Sequence, residues 1–306
     1  MSKVDELIHS INSFIRKEAE SEESLNDTLP DFEGKEKVED MVENFETILA
    51  RILRKQRKFI LDSVKSFIAK DDTEVLENLL TYLREQIFTE DSFATELSQE
   101  AVKFFNLSVT EFATVIMGAI DQDIPLEVLS NRTITWIEEW SEQLGELMKN
   151  TAHEAVEKIL INGISEGHSI AKIELELSNL PQFFRERARA TAITEVLTAS
   201  SVAQQESYSQ SPAVTGKRWK HSGAKYSKPR ENHMMLDGTV VGVDDYFVIP
   251  DSNELAQYPR DVSLSPKERI SCHCTSGPEV DQAILGLSKE EKEEIRRQAL
   301  ADLGVI

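Results

Sequence analysis

The sequence predicts a mainly α-helical protein, with a long-helix N-terminal domain followed by a small α+β C-terminal domain that has a β-hairpin and a terminal helix. Apolar residues recur at helical spacing through the first 160 of 306 residues. Glycine and proline are few, 12 and 9, which favours long helices. After residue 212, aromatic and β-branched residues alternate with turn residues. The predicted parts are an acidic, partner-binding helical domain over 1–154, the α+β domain over 155–276 and a helical tail over 277–306.

The predicted helices follow amphipathic stripes with apolar residues at positions i, i+3, i+4 and i+7. They cover residues 3–19, 41–68, 75–83, 108–120, 136–161, 170–180 and 183–208. Ser108 with Glu111 fits a capping box, in which each side chain accepts a hydrogen bond from the other residue's backbone N–H. A helix is therefore expected to begin at residue 108.

The C-terminal part shows turn and cap signals between short apolar runs. Asp237-Gly238 stands between two such runs and predicts a hairpin turn, because glycine accepts a positive φ without steric cost. Ser288 with Glu291 is a second capping box, which predicts a terminal helix running to about Leu303.

The charge is unevenly distributed. The net charge is −21, and residues 1–180 hold 18 Lys/Arg against 37 Asp/Glu, which excludes a protein that coats nucleic acid along its whole surface. No run of 18 apolar residues occurs, so no transmembrane helix is predicted.

One segment, 217–230, is locally basic and contains no acid. Its basic residues are Lys217, Arg218, Lys220, Lys225, Lys228 and Arg230. Because Trp219 and Tyr226 are interleaved with them, the segment predicts either a nucleic-acid contact, with phosphates neutralised and bases stacked, or a solvated strand edge that resists pairing with other edges. The sequence leaves both interpretations open.

Cys272-His273-Cys274 combines residue types that ligate zinc. His233 and His221 lie upstream and could complete a site with the two cysteines. The alternative is a pair of reduced thiols packed beside the sheet, with His273 pointing outward. Cysteines one residue apart rarely form a disulfide, so the chain fits a reducing compartment.

Glu195, on the last long helix, and His233 form a candidate acid/base couple for hydrolysis of phosphodiester or glycosidic bonds. However, the sequence has no nucleophile elbow, no phosphate-binding loop and no pair of acidic residues at a spacing typical of a catalytic pair. We therefore expect no enzyme activity.

Taken in order, these motifs resemble the Mu-F-like head morphogenesis proteins of tailed bacteriophages, also called minor head or minor capsid proteins. The resemblance covers residues 155–276. It is carried by Glu195, Trp219, His233, Asp237, Gly238, Cys272 and Cys274. The family typically has a basic residue, most often Arg, between the two cysteines, where this chain has His273.

The resemblance implies a low-copy structural component of the virion, in the head interior or at the portal vertex, made in the host cytoplasm and involved in head morphogenesis, DNA packaging or ejection. The implied partner is the portal protein, with scaffold, major capsid protein and double-stranded DNA as further partners, and no membrane. No cofactor is implied apart from the zinc that Cys272, Cys274 and His233 could hold. Two alternatives remain, a DNA-binding module acting through 217–230 and a hydrolase or nuclease using Glu195 and His233.

Overall fold

The computed structural model describes residues 24–68, 75–223 and 229–302. The helix predicted over 3–19 lies outside the described residues, and so do Lys225, Tyr226 and Lys228 of the basic segment.

The N-terminal part is built from long helices, as predicted. The helices are α1 Leu25–Thr28, α2 Val38–Ile68, α3 Val75–Tyr82, α4 Phe93–Ile120, α5 Asn131–Ser165, α6 Ile170–Ser178 and α7 Arg185–Gln210. A π-helical turn at Leu83–Ile87 and a short turn at Phe88–Glu90 continue α3, and 3₁₀ turns precede α2 at Lys35–Lys37 and α7 at Pro181–Phe183.

Local caps explain where two of these helices begin. Ser130 and Ser169 accept hydrogen bonds from the backbone N–H groups of Thr133 and Lys172, at the starts of α5 and α6. The capping box predicted at Ser108 is wrong, because Ser108 is buried in the middle of α4. The apolar stripe of α4 extends back to Phe93 and incorporates the serine.

The C-terminal part is α+β, and the predicted fold class is confirmed. Its elements are β1 Val214–Lys220, α8 Glu231–Met235, β2 Val240–Gly242, β3 Phe247–Val248, β4 Leu255–Ala256, α9 Pro266–Arg269, β5 Thr275–Val280, α10 Gln282–Leu285 and α11 Lys289–Asp302. One antiparallel sheet has the order β2-β1-β5, and β3 pairs with β4 in a separate hairpin.

The turn predicted at Asp237-Gly238 is not a hairpin turn. It follows α8, and Gly238 with φ 79° turns the chain from that helix into β2. The second capping box is confirmed, since the Glu291 carboxylate accepts from Ser288 N at 2.9 Å and Glu291 N donates to Ser288 Oγ at 3.4 Å.

One hydrophobic core joins the helices of both parts. α7 packs against α2 and α4, and residues of α1, α2, α4, α5 and α7 share a buried cluster that includes Tyr258 of the C-terminal part. Phe45 of α2 stacks on Phe104 of α4 with ring centroids 4.0 Å apart. The predicted domain boundary at 154/155 falls inside α5, and the predicted boundary at 276/277 falls inside β5. The shared hydrophobic core contains residues from both sides of the boundary at 154/155.

By length and composition alone, the stretch Asn78–Ile120 contains a segment long and apolar enough to cross a membrane. Its apolar side chains Leu97, Phe105 and Phe112 are fully buried against other helices of the protein. The core helix of a soluble protein passes the same test, so this stretch is weak support for a membrane span.

Candidate functional site

The two cysteines lie on the stretch that leads into β5. Alternation of side chains along extended backbone places Cys272 and Cys274 on one side and His273 on the other. Both thiols are free and buried. His273 is also buried, with Nδ1 2.9 Å from Thr28 Oγ1, so the expectation that His273 points outward is wrong. Its contact ties α1 to the C-terminal part.

His233 lies on α8 and faces both cysteines. Its Nδ1 atom is 3.4 Å from Cys272 Sγ and 3.8 Å from Cys274 Sγ. Its Nε2 atom is 3.1 Å from Glu268 Oε2 on α9. The three residues named from the sequence as candidate zinc ligands therefore meet in one buried cluster.

Arg260 and Trp219 hold this cluster in place. Arg260 is buried and donates through Nη1 to the carbonyl oxygen of Cys272 at 2.8 Å and to that of Cys274. Trp219 of β1 packs edge-on against the ring of His233, with centroids 5.5 Å apart. Arg260 and Ser271 have positive φ values of 67° and 58°, a conformation that costs non-glycine residues energy and often marks a functional site.

The two thiols have pKa values shifted in opposite directions. Burial raises the pKa of both, but at Cys272 the hydrogen bond from the Cys274 thiol, together with His233 and the charge of Arg260, outweighs burial and brings the pKa well below its usual value. The pKa of Cys274 is raised well above its usual value by burial and by the neighbouring Cys272.

Glu195 belongs to a separate buried network. Its carboxylate accepts from Trp140 Nε1 at 2.7 Å and from Arg269 Nη2 at 2.5 Å. The guanidinium of Arg269 also lies over the Trp140 ring, 4.1 Å from its centroid. Arg269 follows Glu268 directly, so α9 connects Glu195 to the His233 cluster.

The acid/base couple predicted from Glu195 and His233 is not formed. Both oxygens of Glu195 accept from Trp140 and Arg269, and both ring nitrogens of His233 face Glu268 or the cysteines. The acid that partners His233 is Glu268, a residue that the sequence analysis missed.

Asp237 and Gly238 act structurally beside this cluster. The Asp237 carboxylate accepts from the backbone N–H of His221 at 2.8 Å, and Gly238 N donates to the Trp219 carbonyl at 2.9 Å. They fasten the segment after α8 to the end of β1. The Nδ1 atom of His221 accepts from Gly223 N, and His221 is not part of the His233 cluster.

The basic segment is largely engaged inside the fold. Lys217 was expected to face nucleic acid, but it is fully buried and donates to Gln205 Oε1 at 2.9 Å. Arg218 pairs with Glu279 at 2.7 Å. Lys220 donates to the Asp31 carbonyl, and Arg230 donates to the Lys267 carbonyl. The expectation for Lys217 is therefore wrong, and the other described basic residues of the segment have partners within the protein.

Comparison with known proteins gives two matches. A family model described as "Phage Mu protein F like protein" matches residues 154–276. An uncharacterized protein, YqbB of Bacillus subtilis (strain 168), is 52% identical over 304 residues, covering 99% of this chain and 100% of that protein. No solved structure matches the chain.

The family match covers the small module around the cysteine pair, and the match to YqbB extends over the long helices as well. The chain belongs to the Mu-F-like family of phage proteins, which confirms the resemblance. The family indicates a role in phage head morphogenesis and an association with the virion.

Proposed function

We propose that this chain is a minor head protein that associates with the portal vertex of a tailed bacteriophage and takes part in head assembly, DNA packaging or ejection. Its family supports the role in the head. The contact with the portal is assigned to the helical N-terminal part, which carries most of the negative charge of the chain.

The observation that carries this proposal is a groove between α2 and α4. It has a volume of about 720 Å³, and Met41, Ile48, Phe104 and Leu107 supply its apolar residues. Leu107 is 60% exposed. Four acidic residues and two lysines surround the apolar floor: Glu36, Asp40, Glu100, Glu111, Lys37 and Lys103.

This combination fits an amphipathic helix with basic flanks. The apolar face of such a helix would cover the groove floor. Its basic residues would meet Glu36 and Asp40, while Glu100 and Glu111 pair with Lys103 and Lys37 of the same rim. We assign this helix to the portal protein, because the family indicates a head component and the groove is on the acidic part of the chain.

The proposed role is structural and not enzymatic. Of the residues considered for hydrolysis, Glu195 accepts from Trp140 and Arg269, and His233 contacts Glu268 through Nε2, so the two do not act on each other. The described basic residues of 217–230 make contacts within the protein. We therefore propose no direct contact of these residues with double-stranded DNA.

Co-sedimentation of the full chain with the portal oligomer of the same phage tests this proposal. Leu107→Asp places a charge on the groove floor, and we expect binding at least tenfold weaker, equivalent to about 1.4 kcal/mol. Leu175→Asp is the matched control, since Leu175 is a similarly exposed leucine (62%) on α6, outside the groove.

The control variant should bind like the wild type. Failure of the wild-type chain to sediment with the portal oligomer at micromolar concentration would overturn the proposed partner. Equal binding by wild type and Leu107→Asp would overturn the assignment of the groove.

A further inference from the structure

The His233 cluster contains three soft or borderline donor atoms that converge on one point. His233 Nδ1, Cys272 Sγ and Cys274 Sγ lie within 4.8 Å of one another, and all three residues are buried. Two free thiols and an imidazole are thus buried in a small core that is otherwise apolar and includes Trp219, Phe247 and Leu264.

The spacing of these atoms matches a tetrahedral metal site. Zinc–sulfur bonds of about 2.3 Å and zinc–nitrogen bonds of about 2.0 Å at the tetrahedral angle place sulfur and nitrogen ligands about 3.5 Å apart. The two sulfur–nitrogen separations are 3.4 and 3.8 Å, on either side of that value.

The orientation of the imidazole is that of a metal ligand. Nε2 is directed at the Glu268 carboxylate at 3.1 Å, and in the tautomer that carries its N–H group on Nε2 the ring donates to Glu268. The lone pair on Nδ1 then faces the two sulfur atoms. A carboxylate that accepts from the second nitrogen of a histidine ligand is the usual arrangement around protein-bound zinc.

Two further contacts prepare the same geometry. Asn232 donates through Nδ2 to the Glu268 oxygen that faces His233, at 3.0 Å. Arg260 binds the carbonyl oxygens of both cysteines and thus fixes the segment that carries the thiols. Side chains outside the ligand set therefore hold each ligand in place.

We propose that His233, Cys272 and Cys274 bind one Zn²⁺ ion, with Glu268 orienting the histidine. The three residues supply three of the four positions of a tetrahedral site. The ion links α8 to the segment before β5, where the hydrophobic core is small. Two thiolates and an imidazole favour zinc over harder cations such as Mg²⁺ or Ca²⁺.

Metal analysis of the full-length chain, purified under reducing conditions and supplied with zinc, tests the proposal. We expect about one zinc per chain, and an X-ray absorption spectrum with two sulfur ligands at about 2.3 Å and nitrogen at about 2.0 Å. A wild-type protein that holds no zinc after incubation with excess Zn²⁺ and reductant would overturn it.

Substitutions distinguish the residues that bind zinc directly from the residue that only orients a ligand. His233→Gln and Cys274→Ser should lose the zinc, while Glu268→Gln should keep the ligands but bind zinc 10- to 100-fold more weakly in competition with a chelator. The control is His168→Gln, because His168 pairs with Glu166 and is outside the cluster. This variant should hold zinc like the wild type, whereas full zinc binding by His233→Gln would contradict the proposal.

A measurement without any variant covers the case in which Cys274→Ser does not fold. Co²⁺ bound to the wild-type chain should give the ligand-field bands of a tetrahedral site and a thiolate charge-transfer band, both lost on addition of zinc. A protein that stays colourless in excess Co²⁺ under reducing conditions would overturn the site.

Discussion

At the scale of single residues, the basic segment shows how a strand can bury a charge. Burial alternates along the second half of β1, from Lys217 onward, and Lys217 lies on the same face as Trp219, two residues further on. Its ammonium group donates to Gln205 and lies 5.8 Å from the centroid of the Phe247 ring. Burial lowers the pKa of Lys217 to about 8.

This pKa predicts a pH dependence of stability. Between pH 8 and about 10.4, the unfolded chain binds more protons at residue 217 than the folded chain does, so the contribution of Lys217 to stability increases as the pH rises. Relative to Lys217→Met, the wild type should gain about 2 kcal/mol between pH 7.5 and 10. Thermal unfolding of both proteins across this range measures the difference.

The exposed Lys103→Met is the control for this measurement and should show the pH dependence of the wild type. If Lys217→Met and the wild type respond to pH in the same way, Lys217 is not desolvated as the structure indicates.

The sequence predicted the ligand-type residues of the site but not their supporting residues. His233 and the cysteines have recognisable chemistry, whereas Glu268 and Arg260 resemble ordinary surface residues. They become part of the site only because tertiary packing brings α9 against α8 and the segment after β4 against the two cysteines. The role of Lys217 was misjudged because counting charges ignores the period-two alternation that Trp219 could have revealed.

At the scale of elements, the approach of α5 to α4 depends on one glycine. A Cβ atom at Gly145 would lie 2.6 Å from the backbone oxygen of Ala94, in the first turn of α4. Backbone atoms in a packed helix cannot move aside cheaply, so α5 needs glycine at this crossing.

Gly145→Ala should therefore destabilise the protein by about 1–3 kcal/mol, despite the better helix propensity of alanine. Gly118→Ala in α4 is the matched control, because a Cβ atom there meets nothing within 4 Å. This control should be neutral or stabilising by up to about 1 kcal/mol. Urea unfolding of the two variants measures both changes, and equal stability would contradict the close contact between the helices.

Helix positions were the most predictable elements, because long apolar stripes repeat the same signal over several turns. Short signals were less reliable. Ser288 with Glu291 does cap α11, but Ser108 with the same spacing to Glu111 lies inside α4, where the continuing stripe outweighs the local cap. Asp237-Gly238 does form a turn, but between a helix and a strand.

At the scale of the whole molecule, two chemically different parts share one core. The acidic helices enclose α7, whose residues are buried on nearly every side, and α7 in turn supports the sheet through contacts with β1 and β5. Charge counts along the sequence detected the difference between the parts. They could not detect the shared core, because that depends on which helices meet in three dimensions.

We propose that the chain is a head component recruited through the portal. Quantitative mass spectrometry of purified procapsids and DNA-filled virions, with the portal protein as internal reference, tests it most directly. We expect the chain in both particles when they are assembled with the portal, and a marked loss from particles assembled without it. Absence from all particles, or equal incorporation with and without the portal, would contradict the claim.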